Sequence, residues 1–226
     1  MPAPASNRRL SPQNRIAVGL LLAAALAAVA IIVIANLRSG GEPAGANAAQ
    51  AQVVREDSHR LHEAPEEKAV LVEFLDFECE ACLAAYPLVE ELIAEHGENL
   101  TVVSRYFPLP GHPNSGTSAA AVEAAAQQGQ FQQMHALMFE KQTEWSHNAE
   151  SQAETFRGYA SSLGLDMTAY DAAIADPATM ERINADKNDG VALDVQGTPT
   201  FFLEGRLIQP SSTEEFRSLI EAAVRD

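Results

Sequence analysis

Cys79 and Cys82 are the only cysteines in 226 residues, and just Glu80 and Ala81 separate them. Two thiols at this spacing can cycle between dithiol and disulfide, or they can supply half of a zinc site. A zinc site needs two more ligands, and His59, His62, His96, His112, His135 and His147 show no zinc-like spacing. The loop that a Cys79–Cys82 bond closes is too short to staple a fold. The pair therefore reads as a redox dithiol.

The elements around the pair fit that chemistry. An apolar run, Val70-Leu71-Val72-Glu73-Phe74-Leu75, leads into Phe77-Glu78-Cys79. Tyr86, Leu88, Val89, Leu92 and Ile93 follow at helical spacing. Strand, sharp turn, dithiol and helix place Cys79 at a helix start, where unpaired N–H groups and the helix dipole favour a thiolate. Cys79 is then the exposed, attacking sulfur, and Cys82, one turn inside, its buried resolving partner.

Charge narrows the function classes. The chain carries a formal −16. Arg8, Arg9, Arg15 and Arg38 stand before residue 53 against one acid, Glu42. The remainder holds eleven bases and thirty acids, a net of −19. A surface that acidic repels phosphate backbones, which argues against nucleic-acid binding.

Residues 1–15 are basic and polar, and 16–37 are uncharged throughout, long enough for a membrane-spanning helix. The arginine bias puts the N-terminus in the cytoplasm and the rest outside. Ala46-Asn47-Ala48 has the small-x-small form of a cleavage site but lies far beyond the apolar run, so an uncleaved signal anchor is expected. Residues 38–57, rich in Gly, Ala, Gln and Asn, read as a flexible linker. A folded domain is expected over 58–226.

Within it, Lys68–Leu75 and Leu100–Phe107 read as strands, and residues from about 115 to 193 as a helical block. Thr200–Leu203 and Arg206–Ile208 read as a hairpin about Glu204-Gly205. Ser212 and Glu215 form an expected capping box for a last helix. The order is β-α-β, helical block, β-β-α.

With those elements in place, the chain resembles the DsbA-like thiol:disulfide oxidoreductases of the thioredoxin superfamily, and is most similar to their membrane-anchored bacterial branch. Glu73 stands where that superfamily keeps a buried acid. Asp76-Phe77 precedes the dithiol, and Pro87 falls at the usual kink of the active-site helix. Gly197-Thr198-Pro199-Thr200 matches the loop whose proline is cis and faces the dithiol. Phe107-Pro108-Leu109 and Gly129-Gln130-Phe131 with His135 also resemble the family's insertion. The resemblance implies an α/β thioredoxin-like fold with an inserted helical subdomain, following one transmembrane helix.

It also implies roles. Glu73 is either a proton acceptor for Cys82 or an ordinary strand carboxylate. Pro199 is either a cis proline that lets Thr198 pair with an extended substrate, or a trans proline entering a strand. His112 reads as a surface histidine or one lining the active face, His135 as a hydrogen-bonded core histidine, and Trp145 as core packing or part of a peptide groove. One departure stands out. Strong oxidants of the family carry Pro-His between the cysteines, whereas this chain has Glu80-Ala81. With Glu73, Asp76, Glu78 and Glu80 crowded nearby, the Cys79 thiol is expected to be pushed up, which makes a weaker oxidant.

The function so implied is disulfide exchange with thiol-containing exported proteins, mainly as a disulfide-forming oxidase. A quinone-linked membrane oxidase would reoxidise it, and the only redox group would be the Cys79–Cys82 disulfide, with no other cofactor and no metal. A reductase or isomerase of the same fold, a non-catalytic peptide-binding module and a zinc scaffold are the rival readings.

Overall fold

The computed structural model describes residues 52–225. The expected span at 16–37 and most of the linker lie outside the described residues; among those described, no helix is long and apolar enough to cross a membrane. Strands β1 (His59–His62), β2 (Ala69–Leu75), β3 (Leu100–Tyr106), β4 (Thr200–Leu203) and β5 (Arg206–Ile208) form one sheet in the order β1-β3-β2-β4-β5. β2 and β3 run parallel, and every other pairing is antiparallel. The connection between the parallel pair is helix α1 (Glu80–His96). This is the crossover that a parallel pair demands.

Strand β2 sits centrally, so both its faces are covered and its residues read as a nearly unbroken apolar run. On one face Leu71 packs with Val89 and Leu92 of α1 and with Phe216 and Ile220 of the terminal helix. On the other, Val72 and Phe74 pack with Val103, Phe107 and Phe202. Between β3 and β4 the chain runs through α2 (Ser115–Ala126), α3 (Phe131–Glu140), α4 (Gln142–Trp145), α5 (Ala153–Ser162), α6 (Met167–Ala175) and α7 (Pro177–Ala192). The last helix is α8 (Thr213–Arg225).

Gly190 brings α7 onto the sheet. A Cβ there would stand 2.7 Å from the Phe107 ring and 3.1 Å from Phe74. The same helix carries Asp186 and Asp189, which hold the fully buried Arg105 of β3 at 2.8 and 2.6 Å. Arg105 also donates to the carbonyls of Gln52 and Val53. Arg55 pairs with Asp189, and Arg182 bridges Asp186 and Asp57. This network, buried at Arg105, Asp186 and Asp189, secures the first described residues against β3 and α7.

Two details differ from the sequence reading. β1 is an additional strand: His59-Arg60-Leu61-His62 carries too little apolar character to announce itself, yet it pairs with β3 across an irregular register. The start of α8 is not a reciprocal box. Ser212 Oγ accepts from the Glu215 N–H at 3.1 Å, but the Glu215 carboxylate turns back to the N–H and hydroxyl of Ser211.

Candidate active site

Strand β2 ends at Leu75, and the next four residues turn tightly into α1, with Cys79 as its N-cap. Asp76 builds the turn. Its Oδ1 accepts from the Glu78 N–H at 2.8 Å, and its backbone carbonyl accepts from the Cys79 N–H at 3.1 Å. Its Oδ2 accepts from the Leu109 N–H at 2.9 Å and meets His112 Nδ1 at 2.7 Å. Burial pushes the Asp76 carboxyl up, against the pull of these donors. Glu78 is fully buried, and its two oxygens accept from the N–H groups of Asn114 and His147 at 2.6 and 2.8 Å. Gln142 of α4 donates from one amide nitrogen to the carbonyls of Phe77 and Cys79. The helical insertion thus holds the dithiol loop through Asn114, Gln142 and His147.

The two sulfurs differ in setting. Cys82 is wholly buried, and Cys79 is 7% exposed, less open than its expected attacking role implied. Both are free thiols. The Cys79 thiol is pulled down to about 5, chiefly by a hydrogen bond from the Cys82 thiol. Thr198 and the N–H groups of Cys82 and Ala81 add to this, and burial opposes it. Cys82 is driven far up by burial first, then by its bond to Cys79 and the charge of Glu73.

The expected upward shift at Cys79 is therefore overturned. The four acids are close in sequence, but their charges are engaged. Asp76 and Glu78 are saturated by donors, and Glu80 pairs with His147 at 2.7 Å. Glu73 is buried, and burial followed by the Cys79 charge raises it to about 8, so it is neutral at pH 7. It shares its face of β2 with Leu71 and Leu75, the side on which Cys82 lies.

Across from the dithiol, the Thr198–Pro199 peptide bond is cis. The Cys79 thiol donates to the Thr198 carbonyl at 3.3 Å. Thr198 Oγ1 is buried without a partner, a hydroxyl ready to donate once Cys79 becomes an acceptor-only thiolate. Beside Pro199 a cleft of about 280 Å³ is lined by Phe201, Leu207, Ile208 and Pro210, next to the sheet's open β5 edge. A larger cavity, about 560 Å³, lies among α2, α5 and α6 and contains none of these residues.

Sequence reasoning placed Cys79, Cys82, Glu73, Thr198 and Pro199 in one site, and the fold brings them together. It missed Gln142, which no pattern distinguishes from any other polar helix residue. For His112 the active-face alternative is the one that holds, and His135 is core as read but lacks the expected hydrogen bond. His112 belongs to the site through Asp76, and His135 is buried without a partner on either ring nitrogen. Its ring stands among Phe77, Tyr86, Phe131 and Phe139, and burial lowers it to about 3. Trp145 is core, as read. Among the described residues, no group of three or more His, Cys, Asp or Glu side chains is placed to hold a metal ion.

Comparison with known proteins agrees with this geometry. A family model described as thioredoxin matches residues 62–222. A Na⁺/H⁺ antiporter NhaA of Herminiimonas arsenicoxydans is 38% identical over 69% of this chain, and that of Mycolicibacterium vanbaalenii is 34% identical over 94%. The chain spans only 24% and 34% of those relatives' lengths. In fold, a thioredoxin-like oxidoreductase from Silicibacter pomeroyi superposes with a TM-score of 0.65 at 24% identity, covering 78% of this chain and 98% of the other. Wolbachia pipientis alpha-DsbA1 gives 0.63 at 18%, covering 79% and 96%. BdbD from Bacillus subtilis gives 0.61 at 17%, covering 73% and 92%. The chain belongs to the thioredoxin family, in its DsbA-like division, as a thiol:disulfide oxidoreductase built on the Cys79–Cys82 pair.

Proposed function

We propose that the chain acts outside the cytoplasmic membrane, tethered by residues 16–37, as an oxidase that forms disulfides in exported proteins. The observation that carries the direction is the contrast between the two thiols, Cys79 pulled down to about 5 and Cys82 driven far up. Stabilising the Cys79 thiolate stabilises the reduced form, which makes the disulfide form a stronger oxidant.

The exchange runs in two steps. A substrate thiolate attacks Cys79 Sγ of the disulfide, and the Cys79–Cys82 bond breaks as the mixed disulfide forms. Cys82 leaves with the electron pair and takes a proton, for which the neutral Glu73 carboxyl is the nearby source. A second substrate thiolate then attacks the substrate sulfur and expels Cys79 as a thiolate. Two substrate thiols become one disulfide, and the enzyme holds both electrons. A quinone-linked membrane oxidase is the partner that would return it to the disulfide. The cleft beside Pro199 and the open β5 edge offer an extended peptide a place to lie, and the Thr198 carbonyl can pair with it in the disulfide form, where Cys79 has no proton to donate. Antiport is not carried over, because the matched region is a minor part of each antiporter chain.

The test is a Cys82→Ser variant of the full chain in a bacterial host. It should accumulate mixed disulfides with exported proteins through Cys79, and the wild type should rest mainly oxidised. A wild type that rests as the dithiol would indicate the reductase reading instead.

A further inference from the structure

The dipeptide between the cysteines contains no cation, yet the site holds two histidines from outside the motif. His112 lies in the loop after β3, and His147 in the loop after α4. Their rings meet edge to face, with centroids 5.7 Å apart. His112 Nδ1 is 2.7 Å from Asp76 Oδ2, and Asp76 caps the turn that carries Cys79. His147 Nε2 is 2.7 Å from Glu80 Oε1, the first residue of the helix that Cys79 caps. The His147 backbone has a positive φ of 56°, and its N–H is held by buried Glu78, which fixes where the ring stands. Each histidine is thus tied to a carboxylate within three residues of the reactive sulfur.

Resting on the oxidoreductase reading above, we propose that His112 and His147 are positioning residues that together supply the positive charge missing between Cys79 and Cys82. They neutralise Asp76 and Glu80, so these carboxylates no longer oppose the Cys79 thiolate. The charged groups facing the pair are Asp76, Glu78, Glu80 and Cys79, with Lys187 of α7 bound to the Pro108 carbonyl of the same loop. His112 is raised overall: burial lowers it, but its bond to Asp76 and the charges of Asp76, Cys79 and Glu78 prevail. It is therefore charged over the range in which Cys79 ionises, with Cys79 near 5.

This makes the redox poise depend on pH in a defined sense. Where His112 is protonated, the thiolate is stabilised and the disulfide is more oxidising. As pH rises through its titration, that share is lost.

The experiment uses full-length wild type, His112→Asn and His147→Gln. These amides can keep the donor to Asp76 and to Glu80 while removing the charge. Thiolate ultraviolet absorbance is followed against pH, and the Cys79/Cys82 equilibrium with glutathione is measured at each pH. Each variant should hold roughly fivefold less Cys79 thiolate at a pH near 5, as expected when loss of one nearby charge makes ionisation about tenfold less favourable. Above the Cys79 midpoint the glutathione equilibrium should shift roughly tenfold toward the disulfide form, about 30 mV. For His112→Asn the difference from wild type should vanish above the histidine range. Unchanged thiolate titration in both variants, or a difference that persists at alkaline pH, overturns the proposal; a purely structural role would alter melting alone. Wild type that exchanges with glutathione but never with protein thiols would overturn the oxidase reading and leave this titration intact.

Discussion

The Cys79 sulfur stands 3.3 Å from the carbonyl oxygen of Thr198, the residue whose bond to Pro199 is cis. The contact joins the start of α1 to the entry of β4, segments 119 residues apart. It also places the unpartnered Thr198 hydroxyl within the same small enclosure. A hydrogen bond to a charged group contributes about 1.5 kcal/mol or more. Thr198→Val keeps the shape and removes the donor. It should lower the thiolate fraction of Cys79 roughly sevenfold near its midpoint, read from the pH dependence of alkylation.

Glu73 yields a prediction with a defined sign. Its carboxyl is raised to about 8 in the folded chain, from an ordinary value of 4.5. The folded state therefore holds the proton more tightly, and the resulting stability is fully present below 4.5 and lost as pH rises through about 8. Glu73→Gln removes that loss. Denaturant titrations should show little change at acid pH and a gain of roughly a few kcal/mol above pH 8. Exchange should slow in the same variant, because Cys82 loses its proton source.

Arg105 is wholly buried between Asp186 and Asp189. Arg105→Met would leave two carboxylates without their shared cation and free the carbonyls of Gln52 and Val53. Removing one partner of a buried ion network costs about 3–5 kcal/mol. The denaturation midpoint should fall accordingly, with an early loss of protection in residues 52–57.

His135 has the opposite pH sign from Glu73. Burial lowers it to about 3 in the folded chain, so its neutral form is favoured there. Its contribution is present above the ordinary value of 6.5 and is lost as pH falls toward 3. His135→Leu fills the aromatic cage without an unpaired nitrogen, so it should raise the melting temperature, and by more at pH 5 than at pH 8.

The parts of this molecule that repeat a local pattern were legible in sequence. The β4–β5 hairpin lies at Thr200–Leu203 and Arg206–Ile208, as its turn residues indicate. The apolar run before the dithiol gives β2, and Gly197-Thr198-Pro199 gives the facing loop. What was not legible depends on side-chain direction across long separations. Four acids within eight residues imply a raised Cys79 thiol only if their charges reach it. Asp76, Glu78 and Glu80 instead turn toward Leu109, His112, Asn114 and His147. β1 was hidden because its partner, not its composition, makes it a strand. Arg105 was hidden because a charge inside an apolar strand looks like an edge residue until α7 delivers its two aspartates.

The most direct measurement is a glutathione redox titration of Cys79/Cys82 in the full-length chain. An oxidase with its attacking thiol stabilised at about 5 should give a reduction potential more oxidising than about −200 mV. A value at or below the roughly −270 mV of thioredoxin would contradict the oxidative direction and make this a reductase.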